Sequence, residues 1–123
     1  MKFLLVLRNN PALIHALAED DKRRLMDGHD TFIKTVQESG ELIVTQALAD
    51  PSQSAVVRVR GGVPAVTDGP YVEAKEFLGG YYMIDVASRD RALELAAQIP
   101  DASIEGMCVE VRPIMFSAGT LDV

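Results

Sequence analysis

The sequence has one cysteine, Cys108, and two histidines, His15 and His29, in 123 residues. A lone cysteine excludes an intrachain disulfide and any site built on several thiolates, and two isolated histidines at this spacing do not make a metal site. Basic residues are also scarce, with 12 Lys and Arg against 18 Asp and Glu, a formal charge of −6. Nucleic acid and anionic lipid both select a basic field, so neither is expected as a partner. No apolar run approaches the roughly 20 residues of a membrane-spanning helix. The apolar run at residues 3–7 stops at Arg8, short of the roughly 7–15 residues of a signal-peptide core, and the chain reads as cytoplasmic. Phosphate-cradling glycine loops and the G-x-S-x-G elbow are missing too. No cofactor is expected.

What is present is a core. With 48% hydrophobic residues, the chain reads as one domain over residues 1–123. Residues 2–8 form a strand whose continuous apolar run implies burial on both faces. Asn10 and Pro11 then look like the cap and first position of a short helix, 11–18. A longer helix lies within 20–39, with Leu25, Met26, Phe32, Ile33 and Val36 on one stripe and Gly40 as its stop. A second strand covers 41–49, followed by a loop over 50–54. Gly61 and Gly62 between the strand-like runs 55–60 and 64–68 signal a hairpin, an insertion into or extension of the sheet. After the turn at Asp68, Gly69 and Pro70, residues 79–86 make a further strand. Ser88 caps a helix that Pro100 ends, and residues 107–114 form a last, alternating strand.

Without the hairpin the order is β-α-β-β-α-β, so the expected fold is α+β, ferredoxin-like, with the first and third main strands central. Two substantial helices cover only one sheet face. The apolar residues of the other face then need a second copy, giving a homodimer with apposed sheets.

The stretch "TDGPYVEAKEFLGGYYMIDV", with "MKFLLVL" before it and "VEVRPI" after it, resembles the YCII-related superfamily, in particular its branch named for an Asp-Gly-Pro-Phe signature. Tyr71 stands here in the phenylalanine position. The resemblance spans essentially the whole chain and implies a dimeric α+β barrel of ferredoxin-like protomers. It brings no agreed biochemical activity.

His29 is the sharpest candidate, because helical spacing from Leu25, Phe32 and Ile33 puts an imidazole on the buried stripe. The smaller YCII-type enzymes are similar here, with a histidine on the first long helix and a Gly-x-Leu exit, Gly40-Glu41-Leu42. That resemblance implies a catalytic histidine with an acidic partner. Glu38 is near in sequence, but nine residues turn a helix by about 180°, which keeps it away from His29. Asp68 is the other choice. A purely structural reading, a core histidine bonded to backbone, stands beside this one. Glu73, Lys75 and Glu76 are either solvated or oriented toward a ligand in a cleft near the dimer interface. Tyr81 and Tyr82 point to opposite faces, one into the helix-side core and the other into the dimer-side cavity, and Tyr82 is expected to be the one that meets the ligand there. Gly79 and Gly80 permit a bulge or a close backbone approach. Cys108 is expected in the core and His15 at the surface. Two functions follow: a cofactor-independent small-molecule lyase or proton-transfer enzyme, or a non-catalytic binding or regulatory protein. The resemblance implies, for the second, an accessory partner of an alternative sigma factor.

Overall fold

A computed structural model of the chain describes residues 1–69 and 76–119. Its elements are β1 (Lys2–Asn9), α1 (Pro11–Ala16), α2 (Glu19–Glu38), β2 (Leu42–Ala47), β3 (Ala55–Arg60), β4 (Val63–Asp68), β5 (Phe77–Asp85), α3 (Arg89–Gln98) and β6 (Cys108–Pro113). The main sheet has the order β2-β5-β1-β6 and every pairing is antiparallel. The two continuous apolar strands are therefore the central pair, as their composition requires, and the fold is the expected ferredoxin-like α+β arrangement. The hairpin β3-β4 forms a two-stranded sheet of its own, so it is an insertion and does not extend the main sheet.

Local chemistry explains the helix limits. Glu19, Asp20 and Asp21 occupy the first turn of α2, where negative charge meets the positive end of the helix dipole. At the other end Gly40 takes φ +76°, Gly40 N–H donates to the Gln37 carbonyl and Glu41 N–H donates to that of Val36. This six-to-one and five-to-two pair of bonds satisfies two carbonyls the helix leaves open. Ser88 Oγ accepts the Arg91 N–H at 3.1 Å and caps α3. Both guanidinium bonds from Arg91 to the Glu41 carboxylate are 2.9 Å long, which ties the exit of α2 to the first turn of α3. That guanidinium holds the Glu41 carboxyl below its usual range.

The core lies between the helices and one sheet face. Phe3, Leu5 and Leu7 of β1 and Tyr82 and Ile84 of β5 meet Phe32 and Val36 of α2 and Ala92, Leu95 and Ile99 around α3. On β6, Val109 and Val111 pack against this cluster. Three sequence expectations need correction. Met26 is 68% exposed, because α2 turns only a narrow stripe inward and Met26 lies to one side of it. Cys108 is exposed and not in the core; it opposes Arg8 at the start of an edge strand, on the face turned away from the helices. Tyr82 faces the helices, while Tyr81 lies on the opposite face and donates to Gln46 Oε1 at 2.6 Å.

The glycines of the DGP turn and of β5 have distinct reasons. Gly69 takes φ +90°, with open space where a Cβ would stand, and its N–H donates to the Ser54 carbonyl to close the base of the hairpin. Gly69→Val should therefore cost about 1–2 kcal/mol through backbone strain alone, read as a lower urea midpoint with an unchanged slope. On β5, Leu7 pairs with Gly80 but Arg8 pairs with Leu78, so Gly79 is the extra residue of a β-bulge. A Cβ on Gly79 would fall 1.9 Å from the Asn9 amide nitrogen, and one on Gly80 would fall 2.7 Å from the Gln46 carbonyl oxygen. Both glycines thus allow the close approaches expected of them.

Candidate functional site

His29 lies midway along α2 and its ring is held at both nitrogens. Nδ1 is 2.6 Å from the Tyr82 hydroxyl and Nε2 is 2.6 Å from Asp101 Oδ1. The rings of His29 and Tyr82 are nearly parallel, with centroids 5.9 Å apart and 9° between planes, and Phe32 meets Tyr82 edge-on at 4.9 Å. Asp101 sits in the 3-10 turn Pro100–Ser103 that follows α3, and it is the one buried charged residue among those described. Its side chain is 4% exposed and that of His29 is 22%. The ring therefore has a dry side against Asp101 and Tyr82 and an outer edge open to solvent.

Gly28 explains how Asp101 arrives there. A Cβ at this position would fall 2.4 Å from Pro100 Cγ, so the bare helix surface is what admits the 3-10 turn beside His29. Proline cannot swing aside as a long side chain would. Gly28→Ala should cost stability despite the better helix propensity of alanine, by about 1–2 kcal/mol from overpacking, and should weaken the His29–Asp101 contact. Loss of the slowly exchanging ring N–H proton of His29 in the NMR spectrum would report that weakening.

The protonation pattern follows from the partners. An ionised carboxylate only accepts, so Nε2 carries the proton and donates to Asp101, and in the neutral ring Nδ1 accepts the Tyr82 O–H. The Tyr82 phenol is pushed up to about 12, first by burial, then by the negative charges of Asp101 and Asp30. A raised phenol stabilises the folded state while it remains protonated. Below pH 10, the ordinary value for a tyrosine phenol, that stability is fully present; as pH rises toward about 12 the unfolded chain ionises first and the advantage is lost. We expect on the order of 2 kcal/mol to disappear across this window, and Tyr82→Phe to remove the slope. Urea midpoints measured between pH 9 and pH 12 test it, and an unchanged slope in Tyr82→Phe would assign the effect elsewhere.

The remaining sequence candidates do not converge on His29. Asp68 is exposed at the end of β4, opposite Ala55, and the carboxylate bonded to the ring is that of Asp101. The hairpin that carries Asp68 forms a sheet of its own, separate from the main sheet. Glu38 is exposed in the last turn of α2, and Glu76 is exposed just before β5. Pro70, Glu73 and Lys75 lie outside the described residues. Tyr82 does belong to the site, as a partner of His29 on the helix side of the sheet. Asp101 went unread because a 3-10 turn has no apolar periodicity; the only signal was an acidic residue immediately after the proline that ends α3. Among the described residues no three His, Cys, Asp or Glu side chains converge as a metal site would require. One helical turn before His29, a cleft of about 460 Å³ opens between the start of α2 and the 3-10 turn, lined by Leu17, Asp21, Arg24, Leu25, Pro100 and Ile104.

Comparison with known proteins agrees with this architecture. The chain is 30% identical over 122 residues to the uncharacterised protein R00369 of Rhizobium meliloti (strain 1021), with 98% of each chain covered. The model of the YCII-related domain matches residues 1–116. With its β2-β5-β1-β6 sheet, the helix-borne histidine and a match over nearly its full length, the chain belongs to the YCII-related family.

Proposed function

We propose that the protein is a cofactor-independent small-molecule enzyme of the lyase or proton-transfer type, with His29 as the group that moves the proton. The observation that carries this reading is the imidazole held at both nitrogens by buried partners while its outer edge stays open to solvent. Nδ1 is the basic nitrogen. A substrate proton is taken there when the Tyr82 hydroxyl moves off it, Asp101 holds the resulting imidazolium through Nε2–H, and the substrate is left as an anion. Tyr82, with its phenol pushed up to about 12, stays protonated and serves as hydrogen-bond donor to that anion. Collapse of the anion with loss of a leaving group is a lyase step; return of the proton to a different atom is an isomerisation.

The working unit in this proposal is a homodimer. Leu4, Val44, Tyr81 and Met83 lie on the sheet face that the helices leave open, and each is half-exposed in one chain. Sedimentation equilibrium at micromolar concentration should give twice the chain mass of 13.4 kDa. A folded monomer would overturn the dimer.

The catalytic reading is tested by screening metabolites for a rise in melting temperature and then following each hit by NMR for chemical change. Turnover by the wild type that falls at least a hundredfold in His29→Ala supports it. Turnover that survives this substitution would remove His29 from the chemistry. A second reading, a binding or regulatory protein such as a sigma-factor accessory, is favoured by the hairpin, where Val57, Val59, Val63 and Val66 are each 63–65% exposed. It predicts a protein partner whose affinity falls with Val57→Asp and is indifferent to His29→Ala.

A further inference from the structure

A second polar cluster lies away from His29, at the end of β1. A cleft of about 190 Å³ is bounded by Asn9, Ile14, His15, Leu48, Asp50 and Leu78. At about 30 Å³ per water-sized group it has room for roughly six non-hydrogen atoms. It continues past Leu48 into a hollow of about 310 Å³ reaching Gln53 and Phe77. Two of its walls, Leu48 and Leu78, are 48% and 37% exposed, which is apolar surface that an occupant would cover.

The polar groups are arranged for hydrogen bonding. His15 Nε2 is 3.3 Å from Asp50 Oδ2, and Asp50 Oδ1 accepts the Ser52 N–H at 2.9 Å. The Ser52 bonds, with a smaller contribution from His15, hold the Asp50 carboxyl below its usual range, so it is the acceptor in the pair. His15 Nδ1 and the Asn9 side-chain amide have no hydrogen-bond partner among the described residues. The half-buried Asn9 amide is seated over the Gly79 bulge, in the place a Cβ would occupy. Bulges of this kind re-aim a side chain beside a site. The Asn9 amide and the His15 ring thus both line this small cleft, next to a carboxylate that already has its donors.

We propose that this cleft binds a small neutral molecule of the carboxamide class. Its N–H₂ donates to His15 Nδ1 and to the Asn9 amide oxygen, its carbonyl accepts from the Asn9 N–H₂, and its short apolar part lies against Ile14, Leu48 and Leu78. An anion is disfavoured by Asp50 and by the net charge of −6. An ammonium would use Asp50 but would compete with His15 for it and leave the Asn9 donor unpaired.

Propionamide, propionate and propylamine share size and differ in charge, which makes them suitable probes. Titrated into the ¹⁵N-labelled full chain, propionamide should shift the backbone amides of Leu48, Asp50 and Gly79 saturably, whereas the two charged probes at equal concentration should not. Asn9→Ala and His15→Ala should each weaken propionamide about fivefold, the worth of one hydrogen bond. His15 is 71% exposed, so its truncation leaves the fold intact even if Asn9→Ala does not. Preference for propylamine would make this a cation site. No saturable shift with propionamide, or an affinity indifferent to His15→Ala, would also overturn the proposal.

Discussion

His29→Leu should destabilise the protein by about 3 kcal/mol or more, and adding Asp101→Leu should restore most of that loss. The single change leaves a carboxylate that is 4% exposed without the ring that donates to it, and an uncompensated buried charge is among the most costly defects a core can hold. Replacing both members removes the charge and its partner together, which is often close to neutral. The double variant should still fall short of the wild type by about 1–2 kcal/mol, because the Tyr82 hydroxyl then has no acceptor. Adding Tyr82→Phe should recover that remainder. Urea denaturation of these four proteins and of the single Asp101→Leu variant measures each step. Additive losses in the double variant would mean that His29 and Asp101 are not energetically coupled, and the proton-transfer proposal would lose its support.

Phe32→Ala should be of comparable size, about 3–5 kcal/mol. Phe32 is 3% exposed and lies edge-on to Tyr82 at 4.9 Å. Its removal opens a cavity at the face of the phenol that bonds His29, so the loss should extend from stability to the site. Tyr82 should then ionise below about 12, as water enters the cavity and reverses part of the desolvation that raises it. A spectrophotometric titration at the tyrosinate band reads this together with the urea midpoint. A variant that loses stability while Tyr82 ionises as in the wild type would show that Phe32 supports the core but not the site.

The fold was legible because its signals are periodic or local. Continuous apolar runs marked β1 and β5 as the central strands, and Ser88, Gly40 and Pro100 marked helix ends through bonds that depend on one or two neighbouring residues. His29 was legible for the same reason, since a polar residue in phase with an apolar stripe stands out. Asp101 was not, because its burial is created by Gly28 admitting the Pro100 turn, a contact between segments that neither periodicity nor turn chemistry encodes. Cys108 and Tyr82 failed differently. The alternation of a strand says which residues share a face, but which face the helices take depends on tertiary packing, and that packing turns Cys108 outward and Tyr82 inward.

The contact between Tyr82 and His29 also makes the protein its own optical probe. The chain has three tyrosines and no tryptophan, so tyrosine emission is not masked by a brighter indole. A phenol that donates a short hydrogen bond to an imidazole loses its excited state to proton transfer along that bond, and Tyr82 should be dark in the folded protein. Any event that parts it from His29, whether a ligand entering between them, a shift of α2 or unfolding, should appear as a gain in tyrosine fluorescence without a label.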